Sequence, residues 1–321
     1  MTTATLLAAG VPEGNLVITQ SSVKSFMHCR RCWYLGHYLR LVKRDDYGTA
    51  TNIGNLVHDA LADYYAGGTN PVDTVRATTD AAIALIGDDN PHRLQDLVSD
   101  GNMAGIMVEG YLEWLQEEGA DYELEFVTPE ATMWAELFPG VILLGKLDGR
   151  VQLRDGTRRF LEHKTVSNFV DLPKFAPTEP QYLTYELLEK LEQVALGEAG
   201  VRTQGALLNM LRKVKRTAKA TPPFYMRVDV LHNDNELRNH WRHMTAVAKD
   251  MLEVIDALDA GADIHVVCPP SPPSRECLYM CSFSDLCLSG IMDDGSEWRG
   301  MAEALFEPGD VFARYGTDVA E

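Results

Sequence analysis

The chain has 321 residues, is 45% hydrophobic and 24% charged, and carries a net charge of −18. This suits one large soluble domain or two modest ones, and no apolar run approaches the roughly 20 residues that cross a bilayer. Six cysteines are too few for a disulfide scaffold, so clustered ones point to metal or redox chemistry and to the cytoplasm.

Residues 1–16 read as a flexible tail. The apolar patch Leu6-Leu7-Ala8-Ala9 has no basic residue before it, so no signal peptide is expected. Thr19-Gln20-Ser21-Ser22 signals a helix start, and 22–41 reads as an aromatic-rich helix. Further helices are expected at 54–65, 71–86 and 91–118, with Gly87-Asp88-Asp89-Asn90-Pro91 as a break. The pattern then turns to strands at 122–127, 131–137, 141–153 and 158–165, punctuated by Pro139-Gly140 and Asp155-Gly156. A helix at 180–196, strands at 203–211 and 224–231, and a long helix at 234–259 follow. Pro269-Pro270-Ser271-Pro272-Pro273 is a stiff connector into a cysteine-rich segment, and 295–321 has no assignable element.

This order predicts an α/β core at 121–262 behind a helical region at 17–120. A Pro/Cys-rich segment at 263–290 is expected to pack back on 22–41, with a C-terminal tail at 291–321. There is no internal repeat.

The acidic balance weighs against nucleic acid as a partner, but it is uneven. Residues 20–44 hold Lys24, Arg30, Arg31, Arg40, Lys43 and Arg44 and no acid. Residues 200–230 hold Arg202, Arg212, Lys213, Lys215, Arg216, Lys219 and Arg227 against Asp229 alone. Such runs are either solvated faces or local surfaces that grip a phosphate backbone.

The candidate chemistry lies on the predicted strands. Asp148 and Glu162 offer hard oxygen ligands to Mg²⁺ or Mn²⁺ on neighbouring strands of a hairpin. Glu162 and Lys164 are two apart and share a face. Lys164 would orient a metal-activated water or stabilise the transition state. His58, on a helix, would add an imidazole ligand, and Gln181 and Tyr185, four apart on the next helix, share a face. The competing reading is a surface Glu–Lys pair, a capped histidine and a polar helix-to-sheet contact.

Cys29 near one end, and Cys277, Cys281 and Cys287 near the other, could supply four thiolates that close the fold through a metal or cluster. Zinc usually takes paired Cys-x2-Cys knuckles, which the C-terminal run Cys-x3-Cys-x5-Cys lacks. A radical-SAM site needs a shorter last interval. Cys268 reads as a small apolar residue.

These residues, in this order, resemble the RecB-like branch of the PD-(D/E)XK nuclease superfamily, over about residues 19–287. The resemblance rests on Ser21-Ser22-x3-Phe26-x2-Cys29-x3-Trp33-Tyr34-Leu35 and on Gly54-x3-His58. It rests further on Gly145-x2-Asp148-Gly149, Glu162-His163-Lys164-Thr165, Gln181-x3-Tyr185 and Cys277-x3-Cys281-Ser282-Phe283-x3-Cys287. The chain looks most like CRISPR-associated iron–sulfur exonucleases and their phage-borne cousins. The fold it implies is a restriction-endonuclease-like mixed sheet flanked by helices, with an iron–sulfur module joining the two ends.

The implied activity is metal-dependent DNA exonucleolysis from single-stranded ends. Asp148, Glu162, Lys164, Gln181 and Tyr185 would form the catalytic set. His58, Asp148, Glu162 and the His163 backbone carbonyl would hold Mg²⁺ or Mn²⁺. Cys29, Cys277, Cys281 and Cys287 would hold a structural [4Fe–4S] cluster. The resemblance also raises recombination or CRISPR-adaptation proteins as partners, a homo-oligomer, and a host cytoplasm for a phage-borne chain.

Arg30 and Ser282 stand where the family commonly has proline, and Cys32 stands where a basic residue is usual. Both Cys29 and Cys32 therefore stay open as the fourth ligand, with Cys29 favoured by its spacing to Phe26, Trp33 and Tyr34. The rival readings are a non-catalytic DNA-binding or assembly factor of the same fold, and an endonuclease that trims DNA for CRISPR integration.

Overall fold

The computed structural model describes residues 10–44, 52–68, 70–86, 91–197, 202–272, 275–288, 291 and 298–316. In chain order the main elements are β1 (Leu16–Thr19), α1 (Gln20–His28), β2 (Leu41–Lys43), α2 (Ile53–Tyr65), α3 (Pro71–Ile86), α4 (Pro91–Glu118), β3 (Leu124–Pro129), β4 (Thr132–Phe138), β5 (Val141–Lys146), β6 (Gly149–Leu153), β7 (Arg158–Val166), α5 (Pro180–Leu196), β8 (Thr203–Arg212), β9 (Tyr225–Val230), α6 (Asp234–Asp259), α7 (Trp298–Leu305) and β10 (Phe306–Pro308).

Local chemistry sets the helix ends. Thr19 caps α1 through a reciprocal box: its hydroxyl accepts from the Ser22 N–H, and the Ser22 hydroxyl accepts from the Thr19 N–H. The Asn52 side chain caps α2 by accepting from Asn55 N–H at 3.0 Å. Pro180 opens α5, and Gly197 ends it in the left-handed region that glycine favours. Asn233 and Glu236 cap α6 reciprocally.

Chain contacts divide the molecule into two compact units. The first comprises residues 1–46, 134–145 and 239–321. Its sheet has the order β1-β5-β4, with β1 parallel to β5, and β10 pairs antiparallel with β2. Val11, Ile142, Leu144 and Tyr315 form its buried cluster. Arg31 is buried here, and its guanidinium donates to the carbonyls of Cys268 and Ile264 at 2.8 and 3.2 Å.

The second unit comprises residues 47–133 and 146–238. Its five-stranded sheet runs β3-β6-β7-β8-β9, mixed, with β7 at the centre, antiparallel to β6 and parallel to β8. The helices α2 and α4 supply Leu56, Val57, Leu61, Met107, Val108 and Tyr111 to a buried core with Leu211 and Tyr225 of the sheet. Each such side chain contributes roughly 1.5–3 kcal/mol when fully buried.

The structure corrects the sequence reading at several points. The helix expected over 22–41 breaks at Cys29, whose backbone is extended, resumes over Arg30–Trp33 and widens into a π-helical turn at Tyr34–Tyr38. The strand expected over 141–153 is two strands that stop and restart around Leu147-Asp148 and pair in different sheets. Within 295–321, α7 and β10 are regular elements. Residues 1–9 of the expected tail, Gly87–Asn90 of the expected break, Pro273, and residues 292–297 and 317–321 lie outside the described residues. No helix among the described residues is long and apolar enough to cross a membrane.

Gly205, the third residue of β8, sits at φ +66°, and a Cβ there would meet the Val230 carbonyl oxygen at 2.0 Å. Gly205→Ala is therefore expected to destabilise the protein by more than about 1 kcal/mol, read as a lowered denaturant midpoint with an unchanged slope.

Candidate active site

The ladder between β6 and β7 ends where Gly149 faces Leu161. Beyond that pair, β7 carries Glu162, His163 and Lys164 with no strand on its β6 side among the described residues. Asp148, just before β6, fills the gap: its Oδ2 accepts the His163 backbone N–H at 2.7 Å. Its Oδ1 lies 3.1 Å from His58 Nδ1 on α2. Sequence alternation places Glu162 and Lys164 on one face of β7 and His163 on the other.

On the first face, Lys164 Nζ donates to Glu162 Oε1 and, at 3.2 Å, to Gln181 Oε1. Gln181 Nε2 donates to the same Glu162 oxygen at 2.9 Å and lies 3.3 Å from the Tyr185 hydroxyl. The pairing follows from helical spacing, since α5 presents Gln181 and Tyr185 one turn apart toward β7. The structure thus gathers His58, Asp148, Glu162, Lys164, Gln181 and Tyr185 within the second unit.

Electrostatics separate the two carboxyls. Burial pushes Glu162 up, reinforced by the neighbouring Asp148 charge, to about 7 despite the opposing pull of Lys164. Burial acts the same way on Asp148, but the His58 imidazole and the hydrogen bonds from His58 and His163 N–H outweigh it and hold it below the usual carboxylate range. Lys164 is raised: burial lowers it, and Glu162 more than compensates. Burial drives His163 down to about 3, so its imidazole is neutral.

Glu162 is 1% exposed, and its Oε2 is buried without a hydrogen-bond partner. Such an orphaned oxygen beside a second carboxylate and an imidazole is a donor set suited to Mg²⁺ or Mn²⁺. Among the described residues no three His, Cys, Asp or Glu side chains converge as ligands of one ion. Here the donors are engaged with one another: His58 with Asp148, and Lys164 with one Glu162 oxygen.

The first unit holds a second feature. Cys29, Cys32, Cys277, Cys281 and Cys287 all line one cavity of about 420 Å³, open mouth included, with Arg31, Pro270, Ser271 and Phe283. Cys29 Sγ accepts the backbone N–H of Cys32 at 3.5 Å and of Ser271 at 3.4 Å. The Cys32 thiol donates a hydrogen bond to the Cys281 sulfur; this raises Cys32 and lowers Cys281 to about 6. Cys268 is buried, consistent with its reading as an apolar residue.

Three arginines of the 200–230 stretch are engaged internally, whereas Lys24 and Lys43 of the 20–44 stretch are exposed. Arg227 is paired with Asp121 at 2.7 Å and donates to Tyr111, and Arg216 pairs with Glu113. Arg212 donates to the Thr221 and Pro223 carbonyls. Lys213, Lys215 and Lys219 are exposed on the segment after β8, and Lys213 N–H donates to the Val166 carbonyl at 2.7 Å, two residues past Lys164. Sequence reasoning missed Tyr65, Tyr111 and Asn209, which contact His163 or one another. The only signal was a lone Asn in the apolar run Ala206–Leu211.

A model of the PD-(D/E)XK nuclease superfamily matches residues 17–288. Among solved structures, a protein from Eubacterium rectale described as "Putative exonuclease" aligns at 11% identity and a TM-score of 0.47, covering 87% of this chain and 98% of its own. A second, described by its locus designation alone, aligns at 14% identity and a TM-score of 0.28, covering 84% of this chain and 96% of its own. No curated protein matches in sequence.

Without metal, the raised Glu162 makes stability pH-dependent. Its carboxyl titrates near its ordinary 4.5 when unfolded and about 7 when folded. The folded state therefore binds the extra proton between those values. Stability of metal-free protein is expected to fall as pH rises from about 4.5 to about 7, and Glu162→Gln should flatten that slope in thermal melts recorded with EDTA.

Proposed function

The chain belongs to the PD-(D/E)XK nuclease superfamily, and from that premise we propose that it is a metal-dependent DNA exonuclease that hydrolyses phosphodiester bonds from single-stranded ends. The observation that carries the reading is the buried Glu162, with one oxygen held by Lys164 and Gln181, the other without a hydrogen-bond partner, and the carboxyl under the charges of Asp148 and His58.

In this reading His58, Asp148, Glu162 and the His163 carbonyl hold Mg²⁺ or Mn²⁺, and the imidazole makes Mn²⁺ competitive. The bound ion supplies a water of lowered pKa and neutralises charge on the scissile phosphate. Lys164 brings a fixed cation to the reacting phosphate and stabilises negative charge as it builds. Gln181 holds both Lys164 and Glu162 in place, and Tyr185 steadies Gln181. His58 orients Asp148, whose second oxygen is already tied to the strand.

Lys213, Lys215 and Lys219 grip the DNA backbone, and binding weakens steeply as salt rises. With Arg212, Arg216 and Arg227 engaged internally, this narrows the seven cations of the stretch to four, the three lysines and the exposed Arg202. Recombination or CRISPR-adaptation proteins, and further copies of the chain, are partners consistent with this role.

The cysteine cavity is the place for a [4Fe–4S] cluster held by Cys29, Cys277, Cys281 and Cys287. Five thiols around one cavity outnumber the four ligands of a cubane and of a structural zinc alike. Cys29 is favoured over Cys32 because two backbone N–H groups already point at its sulfur. The cluster would close a loop from residue 29 to residue 287, a cross-link worth on the order of several kcal/mol in chain-entropy models.

The test is anaerobically purified protein with 5′- and 3′-labelled single-stranded DNA, in Mn²⁺, Mg²⁺ or EDTA. Metal-dependent release of short products is expected, with circular single-stranded DNA left intact. Lys164→Ala should lose at least about 100-fold in rate while still binding DNA. DNA binding without cleavage in either metal would turn the reading to a non-catalytic assembly factor, and cut circles would make the enzyme an endonuclease. For the cluster, Cys287→Ala should yield colourless, poorly soluble protein. A variant that keeps wild-type colour and iron content would sink the ligand assignment.

A further inference from the structure

Behind β7 lies a buried polar chain that no part of the proposed reaction uses. His163 is 1% exposed, and its Nδ1 lies 2.9 Å from Asn209 Nδ2 on the neighbouring strand. The same Asn209 nitrogen lies 2.9 Å from the Tyr111 hydroxyl on α4. Tyr111 meets the Tyr65 hydroxyl at 2.8 Å and Arg227 Nη2 at 2.9 Å, and Tyr65 meets Asp121 Oδ2 at 3.0 Å.

Every direction in this chain is set by its charged end. The Asp121 carboxylate only accepts, so the Tyr65 hydroxyl donates to it. The Tyr65 oxygen then accepts from Tyr111. The Tyr111 oxygen accepts from Arg227, which only donates, and from one Asn209 N–H. The second Asn209 N–H points to His163 Nδ1, so the imidazole accepts there and carries its hydrogen on Nε2.

The ring is fixed on other sides as well. Tyr65 stacks on it with the ring planes 14° apart and centroids at 6.0 Å. The His58 ring stands edge-on to it at 87°, again 6.0 Å between centroids. His163 touches the proposed metal set twice: its ring abuts His58, and its backbone N–H holds Asp148. A ring free to rotate would lose its contact with His58, while the backbone N–H keeps its hold on Asp148.

We propose that Asn209, Tyr111 and Tyr65 are positioning residues for the divalent-metal set, acting through the His163 ring. The inference rests on the metal-dependent reading above. Residues behind the direct ligands of a metal typically change its affinity 10–100-fold when their hydrogen bonds are removed. The chain fixes the ring against which His58 packs before any ion arrives, so its loss should appear in metal affinity first and in turnover only where metal is limiting.

The experiment is Mn²⁺ titration followed by EPR, without DNA, on the wild type, Asn209→Leu, Tyr111→Phe and Tyr65→Phe. Circular dichroism and thermal melts report folding alongside. Folded variants are expected to bind Mn²⁺ 10–100-fold more weakly, with the Mn²⁺ KM raised in proportion and kcat regained at saturating metal. Long-range ¹⁵N spectra should show the His163 hydrogen on Nε2 in the wild type and on Nδ1 in Asn209→Asp. If Asn209→Leu or Tyr111→Phe does not fold, Tyr65→Phe decides, because it keeps the stacked ring and loses only the hydroxyl. Wild-type Mn²⁺ affinity in the folded variants overturns the proposal alone. A wild-type protein that binds no Mn²⁺ overturns it together with the metal-dependent reading.

Discussion

The early end of the β6–β7 ladder is the constraint from which the candidate site follows. A central strand normally has both backbone edges occupied, yet β7 loses its β6 partner after Leu161. The His163 N–H left over must find an acceptor, because a buried unpaired donor costs about 1–3 kcal/mol. Asp148 supplies it. A carboxylate is thereby placed in the middle of a packed sheet, next to Glu162.

Two carboxyls in one buried place are costly, and the surroundings divide the charge unequally. Asp148 receives the imidazole and the backbone donor and stays ionised, whereas Glu162 is pushed toward neutrality and shares one oxygen with Lys164 and Gln181. The site is thus preorganised for a cation. Its own lysine and histidine stand in, through side-chain pairs, for charge that the buried carboxyls call for.

Which residues would meet was legible wherever a short period fixes a face. Glu162 and Lys164 are two apart on a strand, Gln181 and Tyr185 four apart on a helix, and both pairs land together. The split of 141–153 was not legible, because β-type pattern runs on both sides of Leu147-Asp148 and does not say which sheet each half joins. Counting charge also misled. Arg227 and Arg31 look like surface cations in the sequence, but Arg31 is buried and Arg227 half-buried, each on specific acceptors. The Asn209–Tyr111–Tyr65 chain draws on two helices and a strand far apart in sequence, and a single Asn in an apolar strand does not name its partners.

Arg31 donates to the Cys268 carbonyl across 237 residues of chain. On a ribosome, the segment holding Arg31, Cys29 and Cys32 emerges before the one holding Cys268, Cys277, Cys281 and Cys287. It then waits through those 237 residues before its partners exist. Residues 47–133 and 146–238, which make up the second unit, are synthesised meanwhile. The two early thiols therefore spend translation without their eventual cavity, as accessible sulfurs open to oxidation until Cys277, Cys281 and Cys287 arrive.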